Sequence, residues 1–459
     1  MNSKNIVSYL VYKISKPLGK ITLTLVTLLC STLPAEALNL KFTYGYGVTQ
    51  KYKEAAETAE LYWEDRITDN ATINIHLDMP SASKLPANVL GGALPGFVNN
   101  INYSQFRNAL INDRSSTYDN TAVNNLPNYG SYHWISFFED RTQYSNKINL
   151  TRANAKALGL IDKHDSNLDG IIIMSDLSNS SYAWEDRRTD YVNSNEFDYT
   201  SVLIHEIGHT LGFVSAVDSI NASNINDHQR KLNYATPFNL FTGSSFTQNS
   251  IVKTDITYGE DLFFSYDKGQ TNLGYLSTGE DTNLGNFGKG DGWQASHWKH
   301  NIDAIMNPTL APGDRRDATS RDLKVFDVLG WDIDYTPDWS TSLIVSSGIA
   351  NARNHGNTNN NFAIEKMLKQ SGWGGGSGGG SGGGNDNGGG FGQNMDLADY
   401  LAQQGLFQMG NAGALWSKTQ AKVASVPEPT SILGLFGFGL LGLGWQRKRK
   451  SNQQYIIHS

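Results

Sequence analysis

The segment from Ser201 to Phe213 reads SVLIHEIGHTLGF, an apolar run with His205, Glu206 and His209 at its middle. A run this apolar belongs in a core, and polar side chains inside it need partners there. Its flanks favour a helix. Asp198 suits the N-cap, Phe197 and Val202 occupy the two staple positions, and Gly212 is a ready stop. Residues four apart share a helix face, so both imidazoles project from one side about a turn apart. Two neutral imidazoles at that spacing can bind one Zn²⁺. Glu206 lies about 100° round the helix from His205. It can therefore reach a water on the metal and act as general base, since zinc lowers the pKa of such a water towards about 7.

A catalytic zinc keeps three protein ligands and one open position. Four residues are candidates for the third ligand: Asp218, His228, His297 and His300. The last two lie in Ser296-His297-Trp298-Lys299-His300, and the chain then runs into Ala304-Ile305-Met306-Asn307-Pro308. His205, Glu206, His209, Gly212 and Phe213, followed by His297, Trp298, Met306 and Pro308, resemble the leishmanolysin-type site of the metzincin zinc proteases. The resemblance spans residues 198–332. The extended metzincin pattern would place a histidine where this chain has Ser215, and leishmanolysin is rich in disulfides where this chain has one cysteine.

The resemblance implies an α+β zincin fold, with a twisted mixed sheet over the histidine helix and a mostly irregular or helical lower subdomain. It implies zinc held by His205, His209 and His297, with Glu206 catalytic. Residues 210–296 would be an insertion between the second and third ligands. Met306 would underlie the site without touching the metal. Asp218 remains as an alternative ligand, or as a residue that orients one.

Elsewhere the pattern predicts strand, helix, strand. Leu40, Phe42 and Tyr44 alternate, as do Ile73, Ile75 and Leu77, with His76 turned the other way. Between them Tyr52, Ala55, Ala56, Ala59 and Trp63 recur at helical spacing. Thr151 can cap a short helix that ends at Gly159. Ile171 to Ile173 form a short strand, expected at a sheet edge where a peptide could pair. A last helix is expected with Ser320 as its cap, Asp322 in its first turn and Gly330 as its stop, after which the chain leaves the domain. Asp165-Ser166-Asn167-Leu168-Asp169-Gly170, with Asp176 at the twelfth place, has the spacing of a calcium loop. A strand follows it instead of a second helix, so it reads as a polar turn.

The ends read as addresses. Residues 1–37 have the pattern of a signal peptide: Lys4, Lys13, Lys16 and Lys20, an apolar run, then Ala35-Glu36-Ala37. The sole cysteine, Cys30, lies within it, which excludes disulfides and thiolate ligands from the body. At the other end Val426-Pro427-Glu428-Pro429 precedes an apolar stretch and the basic cluster Arg447-Lys448-Arg449-Lys450. This resembles the PEP-CTERM sorting signal. It implies transient membrane anchoring through a transmembrane stretch, cleavage by an exosortase-type enzyme, and export through a Gram-negative-type envelope to the cell surface or beyond. The organisation is then a signal at 1–37, a zincin-like domain at 38–369, a glycine-rich linker at 370–394, a spacer at 395–425, the sorting signal at 426–450 and a tail at 451–459.

The formal charge of the whole chain is −7. Each address carries a net +3, so the body stands at −13. A body this acidic argues against nucleic acid as a partner. The expected function is an exported zinc metalloendopeptidase acting on a protein or peptide. The alternative is a surface-attached binding or matrix protein with a vestigial zincin domain. Intact Glu206, which a binding module does not need, favours the enzyme.

Overall fold

The computed structural model describes residues 37–80, 89–128, 130–135, 142–188, 190–216, 235–245, 247, 253–255, 262–279, 291–337, 364, 366 and 367. The fold is α+β. Strand β1 (Asn39–Tyr44) begins just after the expected signal cleavage site, with Leu40, Phe42 and Tyr44 buried. Helix α1 (Gln50–Glu64) follows and buries Ala55, Ala56, Ala59 and Trp63. Strand β2 (Thr72–Asp78) then pairs parallel to β1, with Leu40 opposite Ile73 and Phe42 opposite Ile75.

The sheet is completed by β3 (Gly91–Pro95) and by a later strand. In between come β4 (Phe97–Asn102), α2 (Tyr103–Asp113), α3 (Thr117–Asn125), β5 (Tyr132–Ile135), β6 (Thr142–Ser145), β7 (Lys147–Thr151) and α4 (Arg152–Ala157). Strand β8 (Gly170–Met174) lies between β2, which it meets parallel, and β3, which it meets antiparallel. The order is therefore β1-β2-β8-β3.

This corrects the expectation for Ile171 to Met174. They form an inner strand with every residue buried, and the edges are β1 and, beside β8, β3. Three consecutive isoleucines suit a strand covered on both faces, which reads as a continuous apolar run. Edge strand β3, Gly-Gly-Ala-Leu-Pro, shows no alternation that could announce it. His76 lies in β2 between Ile75 and Leu77, so it points to the other face, as expected. It is as buried as its neighbours and hydrogen-bonds Thr43 through Nδ1 at 3.0 Å.

Helix α5 (Tyr199–Leu211) runs beneath β3 and against α1, and all thirteen of its residues are buried. The Asp198 side chain caps it, accepting from the Ser201 amide at 2.6 Å. Gly212 stops it at φ +127°, a conformation that L side chains rarely adopt. Indole N–H groups pin its middle and its C-terminal end. Trp63 donates to the Ile204 carbonyl at 3.1 Å and Trp331 to the Leu211 carbonyl at 2.8 Å. The second bond satisfies one of the carbonyls left over at the helix end.

Helix α6 (Ser320–Val328) is capped by Thr319, one residue before the expected Ser320. Thr319 and Asp322 form a reciprocal capping box. The chain does not leave at Gly330. Trp331 is buried, the Asp332 amide donates to Asp69, and Ile333 bridges to Ile67. Further on, Ile364 and Met367 are buried too, and Met367 packs near Gly96. Among the described residues no helix is long and apolar enough to cross a membrane, and the apolar C-terminal stretch lies outside them.

Candidate metal centre

Three buried histidines, His205, His209 and His297, converge at the C-terminal half of α5. Their Nε2 atoms stand 3.1 Å (His205–His209), 3.2 Å (His209–His297) and 3.2 Å (His205–His297) apart. The other nitrogen of each ring faces a backbone carbonyl. His205 Nδ1 meets Ile305 O at 2.7 Å, His209 Nδ1 meets Phe213 O at 2.8 Å and His297 Nδ1 meets Gln294 O at 3.1 Å. A carbonyl only accepts, so each Nδ1 must carry its ring's proton. Each Nε2 is then a bare lone pair, and the three are turned on one another.

Three converging lone pairs with no proton among them repel unless an electrophile sits between them. Burial opposes the alternative of protonating them. It pushes His209 down to about 4 and holds His205 and His297 well below the usual imidazole range, with neighbouring imidazoles adding to the effect on the last two. Metal–nitrogen bonds of about 2.0–2.1 Å in a tetrahedral site require nitrogens about 3.3 Å apart. The observed triangle matches that edge closely. The carbonyl partners also fix the orientation of each ring, as hydrogen-bond partners of histidine do in metal sites. Among the described residues no other group of histidines, cysteines or carboxylates converges this way.

The third histidine is brought in by the segment that follows the small sheet of Thr242–Gly243, Phe263–Phe264 and Gly274–Tyr275. The His297 carbonyl accepts from the Ser277 amide at 3.0 Å, and Ser296 Oγ accepts from the Ser215 amide at 2.8 Å. Ser215 thus tethers the His297 segment from the position where the extended pattern would place a histidine. Phe213, Phe238, Phe264 and Trp298 pack ring against ring beneath, at centroid distances of 4.7–6.5 Å.

Met306 is buried below α5. A Cβ placed on Gly208 would lie 2.6 Å from Met306 Sδ, so this close approach needs glycine. Gly208 went unnoticed in the sequence, although it stands directly before His209. Glu206 is buried on the same helix but lies outside the nitrogen triangle. Its Oε1 is 3.3 Å from where a Cβ on Gly91 would sit, which turns it towards the edge strand β3.

Of the other ligand candidates, His300 stacks on Trp293 and stays out of the cluster. Asp218 and His228 lie outside the described residues. A small, partly open pocket adjoins His205, walled by Val202, Ile305, Thr309, Leu310 and Arg316 among others.

The calcium-like loop is a different environment. Lys156 Nζ stands 2.6 Å from Asp169 Oδ2, 2.8 Å from the Asp165 carbonyl and 2.7 Å from the Thr72 carbonyl. Arg152 adds a contact to Asp165 Oδ1 at 2.9 Å and lies 3.3 Å from Asp169 Oδ1. Asp176 instead accepts from Ser178. The loop is a turn into β8, as its sequence suggested.

Comparison with known proteins bears on the C-terminus. Residues 425–449 match the model of the PEP-CTERM protein-sorting motif. The chain carries a PEP-CTERM sorting motif. The motif implies export, cell-surface association and processing by an exosortase-type enzyme. No curated protein matches the chain, and no solved structure does.

Proposed function

We propose that this protein is an exported zinc metalloendopeptidase of metzincin-like architecture. The observation that carries the reading is the triangle of bare Nε2 atoms at 3.1–3.2 Å, with a glutamate on the same helix beside it. Three neutral imidazoles are a donor set suited to zinc, and three protein ligands leave a position open. A zinc ion held there would supply a Lewis acid and lower the pKa of a bound water.

The chain's own residues account for the remaining chemistry. Glu206 would take the proton of the attacking water and return it to the leaving amine. It stands on the same helix as His205 and His209 but outside the nitrogen triangle. The exposed edge of an extended peptide would pair along β3, the outer strand nearest Glu206. A side chain on that peptide would lie over the small pocket beside His205, whose Val202, Ile305 and Leu310 walls are apolar. The buried imidazoles stay neutral over the physiological range because burial holds their pKa values down.

The test is casein digestion by the purified protein, with chelator and then zinc. Activity lost with chelator and restored by zinc supports the reading. A protein that binds zinc and cleaves nothing would favour the surface-attached binding role.

A further inference from the structure

Asp322 touches both the Trp298 segment and the Ile305–Met306 turn that support the three histidines. It lies in the first turn of α6 and is fully buried. Its Oδ1 accepts from Trp298 Nε1 at 2.8 Å and from the Met306 amide at 3.3 Å. Its Oδ2 accepts from the Thr319 amide at 2.8 Å, the Thr319 hydroxyl at 2.7 Å and the Ile305 amide at 3.3 Å. All five neighbours donate, and only a carboxylate accepts from all of them without bringing a proton of its own.

Two of those contacts lead directly to ligands. Ile305 donates its N–H to Asp322, and its carbonyl accepts from His205 Nδ1. Trp298 follows His297 in the chain, gives its indole N–H to Asp322, and gives its backbone N–H to the Met306 carbonyl at 3.0 Å. The segment bearing His297 and the turn bearing Ile305 and Met306 are thus clamped on one anion. A capping box alone needs only the Thr319 contacts. The three remaining bonds serve the site.

We propose that Asp322 is a positioning residue for the metal centre: it holds the His297 segment and the Ile305 carbonyl in the register that makes the three Nε2 atoms converge. This rests on the three histidines being a metal site. Groups at this remove from a metal typically change its affinity by about 10–100-fold.

The experiment measures zinc affinity by chelator competition, and the cobalt(II) absorption spectrum, in the full chain and in Asp322→Asn. Asp327→Asn, a buried carboxylate of the same helix that accepts from Ser116 and Tyr335, controls for general loosening. The expected result is zinc binding about 10–100-fold weaker in Asp322→Asn, with a shifted cobalt spectrum, and affinity within twofold of wild type in Asp327→Asn. Equal weakening in both variants, or no change in Asp322→Asn, overturns the proposal. Should Asp322→Asn not fold, Trp298→Phe removes one donor and leaves the carboxylate in place. A shifted cobalt spectrum there supports the clamp, and an unchanged one overturns it. A wild-type chain that binds neither zinc nor cobalt overturns the metal reading and this proposal together, whereas a binding wild type with unaltered variants overturns this proposal alone.

Discussion

Two stretches of this chain carry metal-binding spacing, and the structure treats them in opposite ways. At Asp165–Gly170 the acidic ligands are met by the chain's own cations, Lys156 and Arg152. At His205, His209 and His297 the three lone pairs face one another, with no lysine or arginine of the described residues and no shared proton among them. Spacing reports which ligands could converge. Whether a cation is already supplied depends on which neighbouring side chains the fold buries. In the loop a buried ammonium takes the place a metal would hold, whereas in the histidine triangle three imidazole nitrogens stand close enough to bind a metal.

The sharpest way to break this contrast is at Glu206. Glu206→Gln should lower peptide turnover by about 10²–10⁴-fold while metal content stays as in wild type. Undiminished casein digestion by that variant would remove Glu206 from the chemistry.

On the other side of the comparison, Lys156→Met should destabilise the protein by about 3–5 kcal/mol, because it leaves Asp169 buried without its main partner. Burial already pushes Asp169 up to about 6 and pushes Lys156 down, so each depends on the other to stay ionised. Calcium should raise the melting temperature of Lys156→Met and leave that of wild type unmoved. A calcium response in wild type would mean that the lysine does not fill the loop.

The titration of the histidine triangle gives a third test. His209 has a folded pKa near 4, below the unfolded value of about 6.5. The native state therefore binds fewer protons than the unfolded state between those values. Metal-free protein should lose stability as pH falls from about 6.5 through about 4, by on the order of 3 kcal/mol from this group. Denaturant titrations of metal-free wild type and His209→Gln across that range should show a flatter profile in the variant. Parallel profiles would place His209 in a wetter setting than the structure shows.

The smallest effect concerns Gly208. Gly208→Ala should cost about 1–3 kcal/mol by overpacking against Met306, read as a lower melting temperature of the metal-free protein. An unchanged melting temperature would show that Met306 yields without cost.

The parts of this arrangement differ in how far a sequence can announce them. Helix α5 is local: Asp198, the apolar run and Gly212 declare it within fifteen residues. Strands β1, β2 and β8 declare themselves by β-branched and alternating residues. His297 lies 88 residues beyond His209, so no local rule reaches it. It was legible only through the Trp298, Met306 and Pro308 that accompany it in a known pattern. The carbonyls of Ile305, Phe213 and Gln294, which set the tautomers, leave no mark in the sequence because every residue has a carbonyl. Asp322 looked like an ordinary first-turn acid, and its three further bonds exist only once Trp298 and the Met306 turn have folded against it. Lys156 gave no sign of burial, since a lysine on a short helix usually faces water. Strand β3 was missed because glycine, alanine and proline encode neither period.

The central claim is that the three histidines, and no nearby carboxylate, hold one zinc ion. Metal analysis of purified wild type, His297→Ala and Asp218→Ala tests it most directly. The account predicts about one zinc per chain in wild type and in Asp218→Ala, and none in His297→Ala. Zinc retained by His297→Ala and lost from Asp218→Ala would contradict it, as would a wild-type chain that holds no zinc at all.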